Sequence, residues 1–100
     1  MELTARQRAQ LRSLAHPLKP LMHVGKEGIT EAGLRSVMDG FAHRELLKIK
    51  VLQAAAPLTA AEAGADIAAR LPDVHHVQTI GRTVVLYRKH PEKPEIELRN

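Results

Sequence analysis

Residues 24–30 read VGKEGIT, so that Gly25 and Gly28 bracket two charged side chains. Glycines in this spacing let a ligand approach the main chain, because no side chain holds it off. The apolar stretch before them, LKPLMHV, reads as a short strand. Thr30 is a natural N-cap for the helical pattern that follows, with Glu31 in its first turn. A loop that feeds a helix start offers unpaired backbone N–H groups and the positive end of the helix dipole, which together suit a phosphate. Lys26 adds a mobile cation at the loop tip, whereas Glu27 sets a negative charge beside it. The spacing is that of neither a Walker loop nor a dinucleotide fingerprint, which turns the reading away from nucleotide cofactors. G-x-x-G also occurs as a plain turn, and alone it is a weak signal.

Other residue types with chemical potential are less organised. The six histidines include the pair His75-His76, whose side chains point to opposite faces if the segment is a strand. His16, His23, His43 and His90 show no ligand spacing, and there is no cysteine to join them, so no metal site is expected. No G-x-S-x-G, H-E-x-x-H or paired-carboxylate motif is present, and Ser13 and Ser36 lack a recognisable base. The expectation is a protein that is not an enzyme and needs no cofactor.

Charge says more by its distribution than by its size. The net charge is +4 over 100 residues. Residues 1–50 hold nine Lys/Arg against five Asp/Glu, and residues 51–100 hold six of each. The excess cation therefore shares a half with VGKEGIT, and a basic field attracts polyanions whatever their sequence. An apolar fraction of 44% can fill one modest core. The absence of a long apolar run argues against a membrane span, and MELTARQRAQ lacks the apolar centre of a signal peptide. The chain is expected to be cytoplasmic.

The elements that must position the loop follow from periodicity and punctuation. Thr4 caps a first helix that runs to about Ala15, with Leu3, Leu11 and Leu14 on one face. His16-Pro17 ends it. Leu18–Val24 is the strand before the loop, with Pro20 favouring an edge position. Leu34, Val37, Met38 and Phe41 mark the second helix. In LLKIKVL, Leu47, Ile49 and Val51 alternate with Lys48 and Lys50, which predicts a strand with one buried face. Thr59 and Glu62 have capping-box spacing and open a third helix to about Leu71. Val74–Ile80 and Thr83–Lys89 form a hairpin around Gly81-Arg82. Residues 91–100 read as a flexible tail, leaving residues 1–90 as the domain. The order α-β-α-β-α-β-β predicts an α/β two-layer sandwich with a mixed four-stranded sheet.

Several longer segments carry a family resemblance. TARQRAQLRSLAHPLKPLMHVGKEGIT (residues 4–30), HRELLKIKV (43–51), VQTIG (77–81) and TVVLYR (83–88) occur in the order found in the CRM domain, the chloroplast RNA splicing and ribosome maturation domain. The chain most resembles the bacterial single-domain, YhbY-like members. One departure is Arg44, which stands where that family usually has a second histidine, and it keeps the position basic. The resemblance implies a fold similar to the C-terminal domain of translation initiation factor three. It also implies RNA binding, association with precursor rRNA of the large ribosomal subunit, and a role in ribosome assembly. The chain is separately expected to be a monomer.

On this reading Gly25, Lys26, Glu27 and Gly28 contact the RNA backbone. Lys19 and Lys26 flank the first strand and tip the loop, where such cations position RNA without reading its sequence. Arg8 and Arg12 extend the surface if the first helix packs beside the loop, and are solvated otherwise. Arg82 and Arg88 are further candidates. Lys48 and Lys50 share one strand face, where they must reach its edge if helices cover it and face solvent otherwise, with solvent the favoured reading. Tyr87 reads as packed rather than stacked on a base. The alternative is a protein-interaction module that docks on a ribosomal protein or assembly factor.

Overall fold

Threonines open all three helices. Thr4 Oγ1 accepts from the Gln7 amide at 3.1 Å, and the Thr4 amide donates back to Gln7 Oε1 at 2.9 Å. This capping box starts α1 (Ala5–Ala15). Thr30 Oγ1 accepts from the Gly33 amide at the start of α2 (Glu31–Phe41). Thr59 and Glu62 repeat the reciprocal box at α3 (Ala60–Arg70). The structure is a computed structural model and describes residues 2–100.

Four strands complete the fold: β1 (Met22–Val24), β2 (Leu46–Val51), β3 (His75–Ile80) and β4 (Thr83–Tyr87). They form one sheet in the order β1-β2-β4-β3. β1 and β2 are parallel, as a strand–helix–strand unit requires, and the other two pairings are antiparallel. The hairpin turn at Gly81-Arg82 has φ 59 at Gly81, which glycine adopts without strain. β1 is shorter than the expected Leu18–Val24. Leu18 packs under α1 instead, and Pro20 has no N–H to pair.

The expected α/β class and mixed four-stranded sheet are present. Helices lie on both sheet faces, so α1 adds a layer to the two expected. α2 and α3 cover one face, where Val37, Phe41, Ala63 and Ile67 meet Leu47, Ile49, Val84 and Leu86. α1 covers part of the other, where Leu11 and Ala15 meet Leu46, Val77, Val85 and Tyr87. β4 shows why: Val84, Val85, Leu86 and Tyr87 are all buried, and a strand covered on both faces reads as a continuous apolar run.

Residues 91–100, the expected flexible tail, form no helix or strand. Ile96 and Leu98 pack against the α1-side core. Glu45, only 5% exposed, accepts backbone hydrogen bonds from His90 at 2.7 Å, Glu95 at 2.7 Å and Ile96 at 2.8 Å. Burial pushes this carboxyl up, but the three N–H donors outweigh it and hold the group below the usual carboxylate range.

Candidate nucleic-acid interface

The Gly25–Gly28 loop is a tight turn in which the Gly28 amide donates to the Gly25 carbonyl at 2.9 Å. Lys26 and Glu27 occupy its corner and are exposed. Ile29 and Met22 pack against the core and anchor the turn from below. The two glycines differ in kind. Gly28 has φ +71, a conformation that an L side chain rarely adopts. Gly25 has no such backbone demand, and a Cβ there would meet nothing within 4 Å. Neither conformation nor packing explains the glycine at 25. A groove of about 330 Å³ runs along the loop, lined by His23, Gly25, Lys26, Gly28 and Thr30 among others.

Donors gather around that groove. Among the described residues, the amides of Lys26, Glu27, Glu31 and Ala32 have no protein acceptor. They belong to the turn corner and to the first turn of α2, where the helix dipole is positive. β1 and β2 end side by side: Val24 pairs with Val51, and the Leu52 amide donates to the Val24 carbonyl. The Val51 amide donates to the Arg82 carbonyl at 2.8 Å, which brings the hairpin turn to the same end of the sheet. The N-terminus of α3 lies there too, since Thr59 and Arg82 line one groove. The outer end of a parallel strand pair, beside helix N-termini, is a common ligand position in α/β folds. Glu62 is at this end, but the Thr59 amide and hydroxyl engage its carboxyl and hold it below its ordinary range.

The structure groups some of the sequence candidates and separates others. Gly25, Lys26, Glu27, Gly28 and Arg82 share the loop end of the sheet. Lys19 is exposed in the segment leading into β1, and Arg12 is exposed in the last turn of α1. Arg8 is half-buried, and its Nη1 donates to the carbonyls of His76 and Val77 at 2.7 and 2.8 Å. Those carbonyls lie at a bulge in the edge strand β3, which the guanidinium ties to α1. Arg88 follows β4 at the opposite sheet end, where Nε donates to the Pro72 carbonyl at 3.1 Å. Lys48 takes the covered-face alternative, since α1 lies on its side of the sheet and its Nζ donates to the His16 and Leu18 carbonyls at 2.9 and 3.1 Å. It fixes the C-terminal end of α1, where a cation also suits the helix dipole. The alternation in LLKIKVL gave its face but not that partner. Tyr87 is 1% exposed, so its ring is packed, with the His75 ring centroid 6.1 Å away.

Among the described residues, no group of three or more His, Asp or Glu side chains could hold a metal ion, and no helix is long and apolar enough to cross a membrane.

Comparison with known proteins adds to this geometry. Residues 3–88 match the model of the CRS1/YhbY (CRM) domain. The chain is 38% identical over 99 residues to the "Probable RNA-binding protein YqeI" of Bacillus subtilis, covering 96% of this chain and 98% of that one. It is 35% identical to the "Probable RNA-binding protein PA4753" of Pseudomonas aeruginosa, over all of this chain and 93% of the relative. It also superposes on the solution structure of the hypothetical protein SAV1595 of Staphylococcus aureus, to which RNA binding is ascribed. The TM-score is 0.74 and the identity 37%, covering 98% of this chain and all of the other.

Proposed function

We propose, for a chain that belongs to the CRS1/YhbY (CRM) domain family, that it is an RNA-binding protein gripping the sugar–phosphate backbone at the Gly25–Gly28 loop. The observation that carries the site is Gly25, a glycine that neither φ nor packing demands. Its lack of a side chain leaves the turn amides open to a phosphate, as in the G-x-x-G clamp of KH domains. Lys26 and Arg82 supply charge at that end of the sheet, and Lys19 and Arg12 extend it. Arg8 and Arg88 already hold backbone carbonyls of their own chain, so their share in RNA contact is secondary. Recognition is of backbone more than base sequence, since the one tyrosine is packed.

The RNA in this reading is precursor rRNA of the large ribosomal subunit, and the protein assists assembly without catalysing a reaction, in the cytoplasm. The resemblance to CRM domains of ribosome maturation supports that choice, and the names of the relatives support RNA as the partner. The test is a salt titration of binding to RNA, joined to sedimentation of cell extracts. The expected log–log slope is about −0.7 per contacted phosphate for a single strand, with the protein travelling in fractions that hold immature large subunits. A flat slope would overturn phosphate-driven binding, and absence from those fractions would overturn the assembly role.

A further inference from the structure

α1 leaves part of its sheet face uncovered. Leu11 and Ala15 sit over Leu46, Val77, Val85 and Tyr87. The next row toward the loop end has no helix above it. Strand register sets His23, Lys50, Thr83 and Ile80 in line across all four strands. Their facing follows from their neighbours: Met22, Val24, Ile49, Val51 and Val84 belong to the core on the opposite face. His23 and Lys50 are exposed, Thr83 is half-buried, and Ile80 is 49% exposed. The row crosses three strand spacings, about 14 Å. Gly25 leads away from its β1 end, and Arg82 stands at the turn joining β3 to β4.

Charge on this row has one sign. None of the four strands contains Asp or Glu. One row inward, Lys48 is held by the carbonyls of His16 and Leu18, which leaves Lys50 as the mobile ammonium of the face. A lone exposed isoleucine is ordinary. This one lies in the same row as Lys50 and beside the Arg82 turn, where an apolar contact suits the face of a base.

We propose that an RNA strand held at the Gly25–Gly28 loop continues across this row, with His23, Lys50 and Arg82 against phosphates and Ile80 against a base. The proposal rests on the RNA-binding reading of the loop. It adds a second half to the interface and a direction for the strand, from β1 toward the β3–β4 turn. A row bearing cations and no carboxylate favours a polyanion over a protein surface of mixed charge.

The test is fluorescence anisotropy with a short oligouridylate, titrated with KCl, on the wild type and on Lys50→Ala, Ile80→Ser, Gly25→Val and Lys93→Ala. Circular dichroism checks each fold. Lys50→Ala should weaken binding severalfold and flatten the salt slope by about 0.7, the loss of one phosphate contact. Ile80→Ser should weaken binding with the slope unchanged, because the contact it removes is uncharged. Lys93→Ala, in the C-terminal segment, should change neither. If Lys50→Ala and Ile80→Ser bind like the wild type while Gly25→Val is weak, the row is overturned and the loop stands. Equal losses for Lys50→Ala and Lys93→Ala would also overturn the row, because net charge alone would then explain them. A wild type that does not bind at low salt would overturn the RNA-binding reading itself.

Discussion

Gly25 and Gly28 can be separated by one experiment. A Cβ at either position meets no atom within 4 Å, so packing does not distinguish them. Backbone does: Gly28 has φ +71 and Gly25 does not. Placing an L residue in the left-handed region costs about 1–2 kcal/mol, so Gly28→Ala should lower stability by that amount. Gly25→Ala should be neutral, or stabilising by up to about 1 kcal/mol through a less free unfolded chain. Binding should follow a different order. If a phosphate sits on the turn amides, a side chain at 25 pushes it away. A hydrogen bond to a charged group contributes about 1.5–3 kcal/mol, so Gly25→Val should weaken RNA binding roughly tenfold to a hundredfold. Urea denaturation gives the stabilities, and anisotropy at fixed salt gives the affinities. A Gly25→Val protein that is stable and binds RNA like the wild type would refute the reasoning, since the glycine would then have no ligand to make room for.

Four further outcomes are expected. Glu27→Gln should tighten RNA binding by up to about fivefold, because a like charge 4 Å from a phosphate costs about 1 kcal/mol in water; weaker binding would mean that the carboxylate has a partner in the complex. Glu45→Ala should cost about 2–4 kcal/mol, three charge-assisted bonds less the relief of releasing the segment to water. Hydrogen exchange at the amides of His90, Glu95 and Ile96 should be slow in the wild type and fast in this variant, and fast exchange in both would return residues 91–100 to the flexible tail that their composition suggested. Stability should fall on the acid side in two stages. Burial, with the Arg8 charge, lowers His76, so the unfolded chain takes up protons first and stability declines below about pH 6.5. The depressed Glu45 carboxyl adds stability above about pH 4.5 that is lost as pH falls through its folded value; a flat stability between pH 7 and 5 would contradict the first stage. Gly64→Ala should destabilise by about 1–3 kcal/mol through overpacking, because its Cβ would lie 2.8 Å from Val84 Cγ1 and 2.7 Å from His76 Nε2, and an unchanged midpoint in urea would show that α3 can shift.

Local signals were the legible ones. Thr30 and Thr59 could be read as caps because their partners lie three residues away. The hairpin was visible in Gly81-Arg82, and β2 in the alternation of Leu47, Ile49 and Val51. Distant partners left no mark in the sequence. Arg8 meets carbonyls 68 and 69 residues on, and Glu45 meets amides 45 to 51 residues on. A flank arginine and a lone glutamate in sequence thus become long-range ties, one half-buried and one buried, once the sheet forms. The site divides in the same way. The loop announced itself through glycine and a helix start, while the open row depends on a register among four strands that no single segment contains.

The Glu45 ties and the packing of Ile96 and Leu98 carry a consequence for how the chain is made. α1 emerges early in synthesis, yet the partners that bury Leu11 and Ala15 lie in β2, β3, β4 and the last residues. The layer beneath α1 therefore closes late, when the C-terminal residues are free to reach back across the sheet. The core under α2 and α3 draws on residues 22–86 and needs nothing from the last segment, so it can organise first. Chains shortened at the C-terminus should keep that side and expose the other, so that truncation yields a half-finished molecule with a sticky surface rather than a smaller version of the whole.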